Sequence, residues 1–221
     1  MKFEAIPVTV GAARPQATHA GGDGIAVVDV LFDLSGTRVP ADHAAALARA
    51  VAGALPWFDA EPRAGIHPLR AAPSTHGALV LARRAKLVLR VPVSEASESL
   101  ALAGRVLDIA GESVVVGQGA TRPLVPSATL YAQRVATAAR DERAFHDDVV
   151  RWLAGMDVRC EFISGRARCL SAGGGEITAY GLALHGLAPS DSLRVQSEGL
   201  GGQRRLGCGI FVPHKTIATA A

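Results

Sequence analysis

Seven histidines and one glycine-rich loop are the parts of this 221-residue chain best suited to chemistry. Histidine moves protons near neutral pH. The loop reads Leu200-Gly201-Gly202-Gln203-Arg204-Arg205-Leu206-Gly207-Cys208-Gly209 and stands directly before the apolar run Ile210-Phe211-Val212. Glycine is costly to order and is kept where φ must be positive or where backbone must approach something closely. A loop both bare and cationic suits a phosphate chain lying on amide N–H groups, with guanidinium forks gripping its oxygens. Nucleotide fingerprints do not fit it. Gly199-x-Gly201 is followed by Arg204 where a third glycine belongs, and Gly209 to Thr216 carries His214 where a Walker loop needs glycine.

The histidines divide by their neighbours. His43 shares an i, i+4 row with Leu47, Val51 and Leu55, so from the residues alone it reads as a helix-end histidine at the core edge or as a functional group. His67 lies in a loop, where function concentrates, and His214 precedes Lys215. His146-Asp147-Asp148 hints at a divalent metal, but adjacent helical residues point ~100° apart. With no ligand at i+3 or i+4, a solvated helix face is the better reading, and no metal or cofactor is expected.

The elements that must position these groups follow from patterning. With 49% hydrophobic and 19% charged residues the chain can bury a full core, and a net charge of +3 permits nucleic-acid binding without demanding it. Cys160, Cys169 and Cys208 show no Cys-x-x-Cys spacing, which points to buried thiols in a reducing cytoplasm. The first residues hold an acid and a proline where a signal peptide needs an apolar run, and no membrane-length apolar segment occurs, so a soluble cytoplasmic protein is expected.

Residues 25–32 read as a buried strand, followed by a helix opened by Pro40 and ended by Pro56. Residues 78–82 and 86–93 read as a hairpin, and a helix capped by Ser94 carries Leu100, Leu102 and Val106 ahead of a strand at 114–116. After the prolines at 123 and 126 the order repeats. Strands at 129–135, 158–170, 176–187 and 208–212 enclose helices at 141–153 and, capped by Ser190, 190–196. The expected fold is α+β, two tandem ferredoxin-like (β-α-β-β-α-β, RRM-like) domains over 25–122 and 123–221, with 1–24 as an N-terminal extension.

The spacing Leu200-Gly201, five residues including Arg204 and Arg205, then Gly207-Cys208-Gly209 carries a resemblance. With Val39 to Leu47, Leu55-Pro56-Trp57, Gly65 to Arg70 and Gly209 to Lys215, it resembles the repeat-associated RNA-binding superfamily of CRISPR systems. Within it, the chain looks like the sixth Cas protein, the repeat-processing endoribonuclease. The likeness runs from Ile25 to Lys215, and its glycine pattern is shared with relatives that do not cut.

The resemblance implies a metal-independent endoribonuclease without cofactors. Such an enzyme cleaves precursor crRNA at the base of the repeat stem-loop, leaving a 5′-hydroxyl and a 2′,3′-cyclic phosphate. It implies His43 as the proton-transfer residue, with His67 and His214 as rivals. Gly201, Gly202, Gln203, Arg204, Arg205, Gly207 and Gly209 then form an RNA-backbone clamp, and Lys215 is a secondary contact. The implied partners are repeat RNA and other subunits of a CRISPR effector complex. The competing reading is a non-catalytic RNA-binding subunit of such a complex.

Overall fold

The computed structural model describes residues 26–73, 78–171 and 175–215. The expected extension 1–24 lies outside them. In chain order the N-terminal half holds β1 (Val27–Ser35), β2 (Arg38–Pro40), α1 (Ala44–Ala54), β3 (Gly65–Ile66), β4 (Ala71–Pro73), β5 (Ala78–Leu81), β6 (Lys86–Pro92), α2 (Ala96–Ser99), β7 (Val106–Ile109) and β8 (Glu112–Pro123). The C-terminal half holds β9 (Thr129–Thr137), α3 (Glu142–Gly155), β10 (Glu161–Ser171), β11 (Glu176–His185), α4 (Pro189–Glu198) and β12 (Val212–Pro213).

The first main sheet is antiparallel in the order β3-β6-β1-β8-β7, and the second in the order β10-β11-β9-β12. In each, the first and third strands of a β-α-β-β-α-β run lie side by side at the centre, flanked by the second and fourth. The fold is therefore α+β, two ferredoxin-like units in tandem. The strands β2, β5 and β4 form a small separate sheet.

Each unit has its own core. On α1, Leu47 and Val51 are one turn apart and pack with Val30, Phe32, Leu87, Leu89 and Val116 of the first sheet. Pro56 follows the helix, and Leu55 leaves helical geometry to end it. On α3, the Asp141 carboxylate accepts the Ala144 N–H at 2.8 Å and caps the helix. Phe145, Val149 and Leu153 form its buried stripe, and Phe145 stacks on Tyr180 with centroids 4.3 Å apart. The link between the units is tied down: Ser127 N donates to Ser192 Oγ at 2.9 Å, and Gln196 Nε2 donates to the Val125 carbonyl at 2.9 Å.

Several local expectations change. Ala78–Leu81 does not form a hairpin with Lys86–Pro92: β5 pairs β2 and β4, whereas β6 pairs β1 and β3. The second strand of the first unit is the two-residue β3, too short to show any periodicity. Val106 opens β7 rather than closing a helix, and α2 is a single turn between 3-10 turns. Ala188, not Ser190, precedes α4, with Pro189 in its first turn. Cys208 is buried and Cys160 partly covered, but Cys169 is exposed. Burial pushes the thiols of Cys160 and Cys208 up to about 12 and about 11. Among the described residues no helix is long and apolar enough to cross a membrane.

Candidate active site at the seam of the two units

His43 is the residue immediately before α1, and its ring is only 4% exposed. Its Nδ1 lies 3.0 Å from the Pro40 carbonyl oxygen. A carbonyl only accepts, so Nδ1 carries the proton and Nε2 presents a lone pair. Nε2 has no side-chain hydrogen-bond partner among the described residues. Burial holds the His43 pKa below the usual imidazole value, and nearby Arg134 pushes the same way against the Pro40 hydrogen bond. At neutral pH the group is an oriented neutral base.

His43 opens onto a crevice of about 10 Å³ lined also by His67, Arg134, Arg205 and Gly207. It is too small to admit a nucleotide. The walls come from both units: His43 and His67 belong to the first, Arg134 of β9 and Arg205 of the glycine loop to the second. Arg205 donates to Asp59 Oδ1 at 3.0 Å. Arg134, on the central strand β9, is half-buried and has no hydrogen-bond or ion-pair partner among the described residues. Arg168 of β10 lies close enough to act on it electrostatically.

His67 belongs to a different arrangement. Its Nε2 donates to Asp29 Oδ1 at 3.1 Å, and Arg90 Nε donates to the same oxygen at 2.8 Å. Asp29 Oδ2 accepts from Arg90 Nη2 and Arg122 Nη2, each at 3.3 Å. Asp29 stands opposite Arg90 on β6 and Arg122 on β8 in register, so the cluster is one row across the sheet. Burial opposes charge on Asp29, but the His67 and Arg90 hydrogen bonds outweigh it and hold its carboxyl well below the usual range. Arg90 also crosses the seam, donating to the carbonyls of Phe211 at 2.6 Å and Gln196 at 3.1 Å.

The glycine loop closes the seam from the other side. Arg204 turns inward, and its guanidinium donates to the carbonyls of Glu198 at 2.8 Å, Ser197 at 3.1 Å and Arg63 at 3.2 Å. Burial lowers its pKa to about 10. Gly207 and Gly209 are buried, and the Gly209 N–H is taken by the Arg134 carbonyl at 2.8 Å. A Cβ on Gly207 would sit 3.3 Å from the Ile66 carbonyl oxygen, so this glycine lets the loop press on β3. Gly201, Gly202 and Gln203 are exposed and line a second, wider groove of about 1110 Å³ with Arg140, Arg151 and Trp152.

Lys215 is exposed beyond β12, whose neighbour His214 bonds to Thr129 at the far end of β9. Five residues of strand separate that point from Arg134, roughly 17 Å at ~3.4 Å per residue. The structure therefore brings His43, His67, Arg134 and Arg205 together and leaves Lys215 apart. The missed residues, Arg134, Asp29 and Arg90, had one common signal: a charge inside an expected strand.

Gly201 has φ +70°, and a Cβ there would strike the Ala136 carbonyl oxygen, whereas a Cβ on Gly202 meets open space. Gly201→Ala is therefore expected to destabilise the protein by ~1–2 kcal/mol from the left-handed backbone alone, more with the clash. Gly202→Ala should be nearly silent. Urea denaturation of the two variants checks the difference.

Two ferredoxin-like units in tandem place the chain among double-ferredoxin proteins, and a histidine–arginine crevice lies at their seam. The profile of the family described as Cas6 (Cas6 Crispr) matches residues 28–216, and the chain belongs to that family. It is 35% identical over 193 residues, 87% of this chain and 84% of the relative, to the CRISPR-associated endonuclease Cas6 of Myxococcus xanthus strain DK1622. A solved structure described as CRISPR associated protein Cas6 aligns with 86% of this chain and 100% of its own at TM-score 0.64 and 12% identity. Another, described as a RAMP protein binding different RNA substrates, aligns with 85% of this chain and 100% of its own at TM-score 0.62 and 11% identity. At those identities the two structures speak for the fold.

Proposed function

We propose that this protein is a CRISPR repeat-RNA endoribonuclease that cuts precursor crRNA at the base of the repeat stem, with His43 in proton transfer. One observation carries the reading. In a Cas6-family chain, His43 Nδ1 is tied to the Pro40 carbonyl, which aims a neutral Nε2 at a crevice rimmed by arginines of the other unit. A Myxococcus relative, 35% identical and named as a CRISPR-associated endonuclease, supports the reading.

The 2′-hydroxyl oxygen attacks the adjacent phosphorus and passes its proton to His43 Nε2. The P–O5′ bond breaks and O5′ takes a proton from solvent, which later receives the one held by the imidazolium. The products are a 2′,3′-cyclic phosphate and a 5′-hydroxyl. Arg205 and the exposed turn Gly201-Gly202-Gln203 contact the backbone, Lys215 adds a distant contact, and Arg204, Gly207 and Gly209 shape the loop.

Incubation of the protein with end-labelled repeat RNA in EDTA tests this. A cyclic-phosphate product that persists in EDTA is expected. Tight, salt-sensitive binding without cleavage would show a non-catalytic RNA-binding subunit instead.

A further inference from the structure

We propose that Arg134 is a second catalytic residue, the cation that binds the non-bridging phosphate oxygens as charge develops on them. The inference rests on the nuclease reading above. Transfer of the 2′-oxygen to phosphorus passes through a phosphorane whose non-bridging oxygens carry more negative charge than the diester, and a fixed donor aimed at them acts in the transition state more than in the ground state.

Of the cations that line the crevice or lie at the seam, most already have partners. Arg205 is paired with Asp59, Arg204 with backbone carbonyls, and Arg90 and Arg122 with Asp29. Arg134 lines the crevice that His43 opens onto, is half-buried, and has no partner among the described residues. A guanidinium held partly out of water with its donors unfilled is costly unless something anionic is meant to fill it. Its backbone sits where β9 changes register against β11, between Ala132 and Val135, and is tied to the glycine loop: the Arg134 carbonyl accepts the Gly209 N–H at 2.8 Å. His43 and Arg134 come from different units, so they stand together only while the two units are docked.

The roles separate cleanly. His43 Nε2 accepts the 2′-hydroxyl proton, whereas Arg134 remains protonated throughout and donates hydrogen bonds without giving up a proton. No atom is transferred to or from it.

Single-turnover cleavage of repeat RNA at saturating protein, measured beside RNA affinity, tests the assignment. Arg134→Ala is expected to slow cleavage by ~10²–10³-fold with a much smaller change in affinity. Free guanidinium ion should restore part of that rate and none of the rate of His43→Ala. Should Arg134→Ala fail to fold, Arg134→Lys and Arg134→Gln keep most of the stem, and the neutral glutamine should be far slower than lysine.

Cleavage by Arg134→Ala at the parent rate overturns the proposal. So does a loss that lies wholly in affinity and vanishes at saturation, or a glutamine variant as fast as the lysine one. A parent protein that cuts no repeat RNA overturns the nuclease reading and this inference with it. A cutting parent with an unaffected Arg134→Ala overturns this inference alone.

Discussion

Replacing His43 with alanine is expected to slow single-turnover cleavage of repeat RNA by ~10²–10⁴-fold, the usual worth of a positioned general base. Affinity should change little, because the ring is almost covered and offers RNA no charge at neutral pH. The pH profile gives a second readout. Burial lowers the His43 pKa below the usual imidazole value, so the neutral base predominates at neutrality. The parent rate should be flat around pH 7 and fall with unit slope only as the pH drops below 6.5 toward the lowered value. The residual rate of His43→Ala should lack that limb. A His43→Ala variant that cuts at the parent rate would reject the assignment and make His67 the next residue to replace.

The second large effect concerns stability. Asp29→Ala leaves Arg90, whose side chain is 1% exposed, without its carboxylate, and removing one partner of a buried ion pair costs ~3–5 kcal/mol. The double variant Asp29→Leu with Arg90→Met should recover only part of this. It removes the stranded charge but abandons the carbonyls of Gln196 and Phe211, which Arg90 serves across the seam. Chemical denaturation followed by far-UV circular dichroism and by Trp57 and Trp152 fluorescence reads both variants. The ion cluster also sets a pH dependence. The Asp29 carboxyl lies below its unfolded value of 3.8, so its stabilisation is complete above that value and is lost as the pH falls below it. Asp29→Ala should lack this acid-side loss.

The tandem plan was legible because its longer elements carry strong patterns. Asp141 followed by Phe145, Val149 and Leu153 is a cap and a stripe that need no partner to be recognised. The strand β3 was not legible: its second-strand role comes from pairing Gly65 with Arg90 and Ile66 with Leu89, and two residues hold no period. The apolar run at β5 filled the vacancy in the reading, since a four-residue strand looks the same in either sheet.

The site divided the same way. His43 stood out by residue type and by its place ahead of a helix, and the glycine loop by composition. The spacing of the loop did not disclose that Arg204 turns inward, because its acceptors, the carbonyls of Arg63, Ser197 and Glu198, are brought together only by the docking of the units. Arg134 and Asp29 were visible as charges within the expected strands. That Asp29 has partners while Arg134 has none among the described residues depends on cross-strand register, as with Arg90, 61 residues from Asp29 in sequence.

One consequence of the two inward-facing arginines concerns the approach of a polyanion. Arg90 and Arg204 donate to the carbonyls of Gln196, Ser197 and Glu198, three consecutive residues of the last turn of α4. That turn is the negative pole of the helix, and Glu198 with Gly199 borders the wider groove beside the glycine loop. Left bare, the pole would repel any polyanion approaching that groove, on a chain whose net charge is only +3. Capped by two guanidinium groups, that pole is offset, and under the proposed function an RNA strand entering the groove would meet Arg140 on its wall. The two arginines that lock the units together thereby also favour fast, salt-dependent encounter with nucleic acid.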